Sequence, residues 1–315
     1  MGPILAKRLE RFARSFPRHV AAEFGRYQKL HRADKRWNSQ QKAANRPYWS
    51  LLPVWLVASY VRAEKKPDSK KQILNDILWA QYCLFLFVRI QDDVFDGHVQ
   101  SPSLIFIADQ FLFEAQDVFS GYFARSSIFW KLFRTYVQES TLAVTEVDRL
   151  QKSPVVNSES LLTEYARVNA IFKIGSAAVC LEFGRMKDFS LIENSADEMA
   201  IGCQILDDLE DVSQDLERKR FNYAANIILR RKPKPEKGDD IPRFIAKAIV
   251  LSSAGDELLT EVRRRFSRAS AHLSKFELPA VQRVYRAYEK ALQRTQISFH
   301  QKRARVILNQ KNRFF

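Results

Sequence analysis

The chain is poor in the residues that punctuate structure. Its 315 residues include only 9 glycines and 11 prolines, about half of average usage. That scarcity excludes whole fold classes. A nucleotide-binding α/β enzyme needs glycines at its strand-to-helix turns, and neither G-x-G-x-x-G nor G-x-x-x-x-G-K-[ST] occurs. An all-β sandwich or barrel needs many more turn residues. Cysteine is scarcer still. Cys83, Cys180 and Cys203 lie far apart and no C-x-x-C pair exists, so neither a zinc site nor a disulfide framework is indicated. Reduced core thiols and a cytoplasmic location are the expectation. Long apolar runs are missing too. The longest, 54–61 and 83–88, fall well short of the ~20 residues of a membrane span. The basic N-terminus MGPILAKRLERFARSF has no apolar core of the kind a signal peptide carries.

What is present is apolar and helical in pattern. A hydrophobic share of 46% disfavours disorder and leaves an all-α globular chain. Amphipathic helices are expected near 5–33, 48–64, 70–96, 103–120, 127–152, 158–185, 189–217, 219–231, 241–274 and 278–309. Breakers fall between them at Lys66-Pro67-Asp68, Gly97 to Pro102, Ser153-Pro154 and Leu278-Pro279. With helices on both sides of every break and no repeat, residues 1–315 read as one domain. RRKPKPEKGDD (230–240) reads as a flexible loop. Two stretches, 77–97 and 161–184, are apolar around most of their circumference and read as central, buried helices.

Charge is unevenly placed. The formal net charge is +15, made of +12 over residues 1–90, −12 over 91–215 and +15 over 216–315. Basic flanks alone would suggest a polyanion partner. The acidic middle does not fit that reading, and it holds two aspartate clusters. Asp92, Asp93 and Asp96 form D-D-x-x-D at the end of an apolar helix. At about 100° per residue all three should lie on one side of its last turn. That crowding is costly at a helix C-terminus, and Arg89, one turn back, offsets part of it. Asp207, Asp211 and Asp215 repeat at i, i+4 and i+8, with Asp208 beside them and Arg218, Lys219 and Arg220 following. A single acidic turn is an ordinary solvated helix face. Two such clusters about 115 residues apart, each attached to a hydrophobic helix, point further. Oxygen-only ligands suit Mg²⁺ rather than zinc. Mg²⁺ bridging carboxylates and phosphates points to a diphosphate or polyphosphate.

With these motifs the chain resembles the class I isoprenoid synthase superfamily: terpene synthases, trans-prenyltransferases and squalene/phytoene synthases. Asp92-Asp93-Val94-Phe95-Asp96 resembles the first metal motif, and Gln204-Ile205-Leu206-Asp207-Asp208-Leu209-Glu210-Asp211 the second. The likeness spans roughly residues 75–230 and implies an all-helical bundle around an apolar cavity. Arg89, Gln204, Asp211, Asp215, Arg220 and Tyr223 look like the squalene/phytoene branch. Asp207-Asp208-x-x-Asp211 and Lys173 look equally like trans-prenyltransferases. The 207/211/215 spacing equals that of the second metal triad of terpene cyclases. The Arg-Arg-Gly that follows the first motif in chain-elongating enzymes is replaced here by Gly97-His98-Val99-Gln100, and their N-terminal Gly-Lys-Arg is missing.

The resemblance implies a terpene synthase that ionises an allylic prenyl diphosphate, with Mg²⁺, in a set of three, taking charge from the leaving group. Asp92 and Asp96, with Asp207, Asp211 and Asp215, would hold metal, and Asp93 would assist. Arg167, Lys173, Arg220 and Tyr223 would contact the diphosphate. Phe85, Phe87, Val88 and Phe172 would line a dry cavity for the carbocation. Aromatics at helical spacing are also ordinary core, and Gly175 suits either a helix break or close packing. Head-to-head condensation and chain elongation are the enzymatic alternatives. A basic helical protein binding RNA or an anionic membrane surface is the non-enzymatic one. Acidic clusters would repel nucleic acid, so none is expected as a partner. Peripheral membrane contact is compatible with the basic flanks, and homodimers are common in the family.

Overall fold

The computed structural model describes residues 3–33, 48–64, 71–95, 97–152, 158–217, 221–230, 240–276 and 278–311. Among them it contains α-helices, two 3₁₀ turns and no strand. The chain divides into two compact units. The first comprises Met1–Ser140, Ala170–Glu193 and Phe276–Val281; the second comprises Thr141–Asn169, Asn194–Lys275 and Gln282–Phe315.

The first unit holds α1 (Pro3–Arg14), α2 (Arg18–Ala33), α3 (Tyr48–Glu64), α4 (Lys71–Phe95), α5 (Leu104–Ser120), the first half of α6 (Ile128–Gln151), the 3₁₀ turn Ala170–Phe172 and α8 (Lys173–Glu182). Residues 5–33 were expected to form one helix and form two. Pro17 carries no N–H and pushes its predecessor out of the α region, so α1 ends at Arg14 and α2 starts afresh at Arg18. α4 is the centre of the unit. Two of its stripes, Ile73-Ile77-Ala80-Leu84-Phe87 and Trp79-Cys83-Leu86-Ile90, are buried. A helix of this length and composition can cross a membrane, contrary to the expectation from run length. Its burial within the unit instead makes it a core helix. Aromatic rings seat the N-terminal helices on α4 and α5. Phe12 meets Trp79 at 5.9 Å and Phe111 at 5.2 Å, and Phe24 meets Phe111 at 5.3 Å between ring centres. Many of the chain's 23 phenylalanines are therefore packed core, each such ring burying a large apolar area.

The second unit holds α7 (Ser158–Val168), most of α9 (Phe189–Glu217), α10 (Tyr223–Leu229), α11 (Ile241–Leu251), α12 (Ala254–His272) and most of α13 (Pro279–Lys311). Residues 241–274 also split in two. Ser252 is extended at ψ 176°. Its hydroxyl donates to Ala248 O at 2.6 Å and accepts from Ala254 N at 3.2 Å, a local alternative to the helix ladder. Gly202 lets α9 approach α12, since a Cβ there would lie 2.6 Å from the Phe266 ring. Ser195 Oγ donates to Ala269 O at 2.8 Å in the same crossing.

The expected helix over 158–185 is interrupted. α7 ends at Val168 and α8 begins at Lys173, with a turn at Asn169 and a 3₁₀ segment between. Asn169 Nδ2 donates to Tyr165 O at 3.1 Å, and such back-bonding weakens a helix. On the α8 side, Gln81 of α4 donates to Phe172 O and accepts from Gly175 N, both at 3.1 Å. Gly175 itself serves close packing. A Cβ there would lie 2.3 Å from Gln81 Oε1 and 3.0 Å from Pro53 Cγ. Of the expected loop 230–240, residues 231–239 lie outside the described residues. Its ends are the C-cap of α10 at Arg230 and the N-cap of α11 at Asp240, whose carboxylate accepts Arg243 N at 3.2 Å.

Candidate active site

In the first unit, α4 carries the first acidic motif on its last turn, and the two described aspartates part company. Asp93 continues the buried stripe Trp79-Cys83-Leu86-Ile90 and is 0% exposed. Asp92 ends the neighbouring stripe Leu78-Tyr82-Phe85-Arg89, which is half-buried, and its side chain is 55% exposed. The expectation that the motif's carboxylates share one side is thus corrected for this pair. Neighbours on a helix are about 100° apart, and here that angle spans the boundary between core and solvent. Asp96 lies outside the described residues.

Burial of the Asp93 charge is offset by three partners. Arg89 Nη2 lies 2.9 Å from Oδ1, His98 Nδ1 lies 3.4 Å from the same oxygen, and Tyr27 of α2 donates to Oδ2 at 2.7 Å. Burial, and then the Asp93 charge, push the Tyr27 phenol well above its ordinary range. Arg89 also reaches Asp92 at 3.5 Å, so it spans both carboxylates. Gly97, at φ 69°, turns the chain back, and Val99 N donates to Asp93 O at 3.1 Å. That turn delivers His98 to Asp93. Sequence reasoning missed Tyr27 and His98. Nothing in local spacing pairs Tyr27 with a residue 66 positions away.

Lys173 opens α8 and is 9% exposed, the interior setting expected for it. Its Nζ lies 5.8 Å from the centre of the Tyr136 ring, within cation–π range. Tyr136 OH in turn donates to Glu193 at 2.5 Å. A cation at a helix N-terminus opposes the macrodipole, so this is a position where an added anion is favoured twice over. Phe172, immediately before Lys173, meets Phe85 at 6.4 Å between ring centres, and Phe85 is stacked on Tyr82 at 6.1 Å. The Lys173 turn therefore lies beside the α4 stripe that ends at Asp92. Val88 borders that stripe. Phe87 does not; it is buried about 140° around the helix from Asp92.

In the second unit, α9 runs unbroken through Glu217, so Asp207, Asp211 and Asp215 form a single stripe. Asp207 is exposed, and Asp211 and Asp215 are half-buried. Asp208 faces inward. Its carboxylate accepts Gln204 Nε2 at 2.8 Å and Tyr223 N at 2.6 Å, fixing the start of α10. Burial pushes the Asp208 carboxyl up to about 7, opposed by those hydrogen bonds. The Tyr223 side chain is buried. Arg167 pairs with Glu164 at 2.9 Å, a local i, i+3 ion pair on α7. Arg220 lies outside the described residues. Asn222 went unnoticed in the sequence, although an Asn before the apolar run Tyr223–Leu229 is an N-cap signal. It accepts Ala225 N at 2.9 Å and donates to Asp208 O at 2.7 Å and Asp215 Oδ2 at 2.9 Å.

Among the described residues no three His, Cys, Asp or Glu side chains converge into a metal cage. The outward donors are carboxylates: Asp92 in one unit, and Asp207, Asp211 and Asp215 in the other. Mg²⁺ commonly takes one or two carboxylates and completes its shell with water and substrate phosphates. The donors thus fit Mg²⁺ by type.

No protein-family model matches the chain, and no curated protein matches it. Solved structures do. The geranylgeranyl pyrophosphate synthetase from the archaeon Geoglobus acetivorans matches with a TM-score of 0.58 at 15% identity, over 92% of this chain and 97% of that one. The geranylgeranyl pyrophosphate synthase from Corynebacterium glutamicum matches with a TM-score of 0.60 at 14% identity, over 93% and 94%. The chain has the all-α fold of these two structures.

Proposed function

We propose that the chain is a Mg²⁺-dependent prenyl diphosphate enzyme of the transferase type, lengthening an allylic prenyl diphosphate with isopentenyl diphosphate. Within the molecule, one observation carries the reading. The Phe85–Phe172 contact sets a buried lysine beside the helix face that ends at Asp92. A cation, a carboxylate and an aromatic wall are what a diphosphate with an apolar tail requires. The transferase choice is supported by the likeness in fold to two geranylgeranyl pyrophosphate synthases, each matched over more than nine-tenths of this chain. It takes precedence over the terpene cyclase to which the motifs first pointed.

The roles follow from each described side chain's setting, and those of Asp96 and Arg220 from the motif resemblance alone. Asp92 and Asp96, and Asp207, Asp211 and Asp215, hold the cations. Bound Mg²⁺ supplies charge neutralisation of the diphosphate leaving group. Lys173 binds a diphosphate oxygen, giving up its contact with the Tyr136 ring for a full charge partner. Arg220 assists, whereas Arg167 must first release Glu164. Phe85, Phe172 and Val88 exclude water from the allylic carbon. Asp93, enclosed by Arg89, Tyr27 and His98, orients the last turn of α4 and does not itself meet the cation.

A second reading, ionisation of one substrate followed by cyclisation, is favoured by Gly97-His98-Val99-Gln100, which offers no arginine pair for a second diphosphate. Purified protein given a C10–C20 prenyl diphosphate with Mg²⁺, with and without isopentenyl diphosphate, separates the two. A longer diphosphate formed only with isopentenyl diphosphate supports transfer. A hydrocarbon or alcohol from one substrate supports cyclisation. Unchanged turnover in an Asp92→Ala/Asp207→Ala double variant would sink both.

A further inference from the structure

Asn222 has no part in the proposed chemistry, yet it is 3% exposed and every polar atom of its amide is used. Its Oδ1 accepts Ala225 N and caps α10. Its Nδ2 has two hydrogens; one goes to Asp208 O and the other to Asp215 Oδ2. An amide held at three points cannot turn away. It presents a fixed donor to a carboxylate that lies two residues from the end of α9. There the macrodipole disfavours the charge. The adjacent bond from Tyr223 N to the Asp208 carboxylate ties the start of α10 to the same stretch of α9.

Resting on the reading of the α9 stripe as cation ligands, we infer that Asn222 is the positioning residue of Asp215. By occupying Oδ2, the amide leaves Oδ1 as the oxygen turned to the cation. It also neutralises part of the negative charge shared with Asp211. Outer hydrogen bonds of this kind fix ligand geometry, and losing one costs about 10–100-fold in metal affinity. A cap alone does not account for the choice of residue. Serine and aspartate cap a helix as well as asparagine does, but serine is too short to reach Asp215, and aspartate has no hydrogen to give it.

The test uses the intact chain with Mn²⁺ and inorganic diphosphate, following free Mn²⁺ by electron paramagnetic resonance. Asn222→Ser should raise the Mn²⁺ dissociation constant about 10-fold and, because the bond to Asp208 O goes too, lower the melting temperature. Asn222→Asp keeps both cap and volume, and should weaken Mn²⁺ binding as well; it is the deciding variant if the serine chain fails to fold. In an Asp215→Asn background the serine substitution should cost nothing further, because the effect runs through Asp215. Unchanged Mn²⁺ affinity in both Asn222 variants, or a full additional loss in the Asp215→Asn background, overturns the inference. Asp211→Asn separates the two failures. If it weakens Mn²⁺ binding and the Asn222 variants do not, only the positioning role falls. If neither does, or the parent chain binds no Mn²⁺, the reading of the stripe falls with it.

Discussion

At the residue scale, adjacent aspartates in each cluster have opposite settings. Asp93 and Asp208 are enclosed by partners, while Asp92 and Asp207 are exposed. Their substitutions should differ in kind. Asp93→Ala takes away the buried acceptor that Tyr27 and Arg89 share, and should cost about 1–3 kcal/mol of stability. Asp92→Ala should leave stability within about 0.5 kcal/mol. Urea denaturation of the two variants checks the contrast. Asp208 adds a pH dependence. Its folded carboxyl titrates at about 7 against an ordinary value of 3.8, so between those values the folded chain holds the extra proton. Stability from this group is therefore present below about pH 4 and declines as pH rises to about 7. Asp208→Asn can still accept Tyr223 N and, with the Gln204 amide turned over, donate to it. Relative to the parent it should gain more than about 1 kcal/mol between pH 4 and 7, then level off, as read from denaturation curves across that range.

At the element scale, helix ends are decided by individual hydrogen-bonding groups. Gln81 bridges the break before α8, and Gly175 allows α3 and α4 to approach it. Gly175→Ala forces a methyl against Gln81 and should cost about 1–3 kcal/mol. Gly97→Ala, which meets only the cost of a positive φ, should cost about 1–2 kcal/mol. Thermal melts of the pair should rank them in that order, the larger penalty at 175. In the second unit Arg303 of α13 donates to Val250 O at 2.7 Å and Ser252 O at 3.1 Å, and pairs with Asp256 at 2.9 Å. One guanidinium thus satisfies the end of α11 and the start of α12. Arg303→Met keeps the stem and loses the fork, and should lower stability by about 1–3 kcal/mol. The breaks at Pro17 and Ser252-Ser253 were within reach of a closer reading of backbone chemistry. The one at 169–172 was not, because Gln81, about 90 residues earlier, supplies hydrogen bonds that hold it.

At the scale of the whole molecule, charge and core answer to different demands. The +15 net charge resolves into basic flanks and an acidic middle, and the acidic middle carries both carboxylate clusters. The folded state draws its stability from apolar burial along α4 and the aromatic clusters around it. Removal of divalent cations should accordingly leave far-UV helicity and the melting temperature little changed. It should abolish diphosphate release from a prenyl diphosphate. A large drop in melting temperature on chelation would mean that the cation is structural.

Composition and periodicity alone determined that the chain is helical, since scarce glycine and proline and a 3.6-residue apolar period leave no other class. The paired aspartate motifs added a resemblance to the isoprenoid synthases, and two geranylgeranyl pyrophosphate synthases share the chain's all-α fold. The stripe Trp79-Cys83-Leu86-Ile90 that runs into Asp93 was also there to be read. The tertiary structure decided which aspartates face water and which are enclosed. It set Lys173 beside Phe85 by way of Phe172, and it tied Asn222 to Asp215. Those facts depend on donors and rings that arrive from elsewhere in the chain. Local spacing places a side chain around its own helix and carries no information about what packs against it.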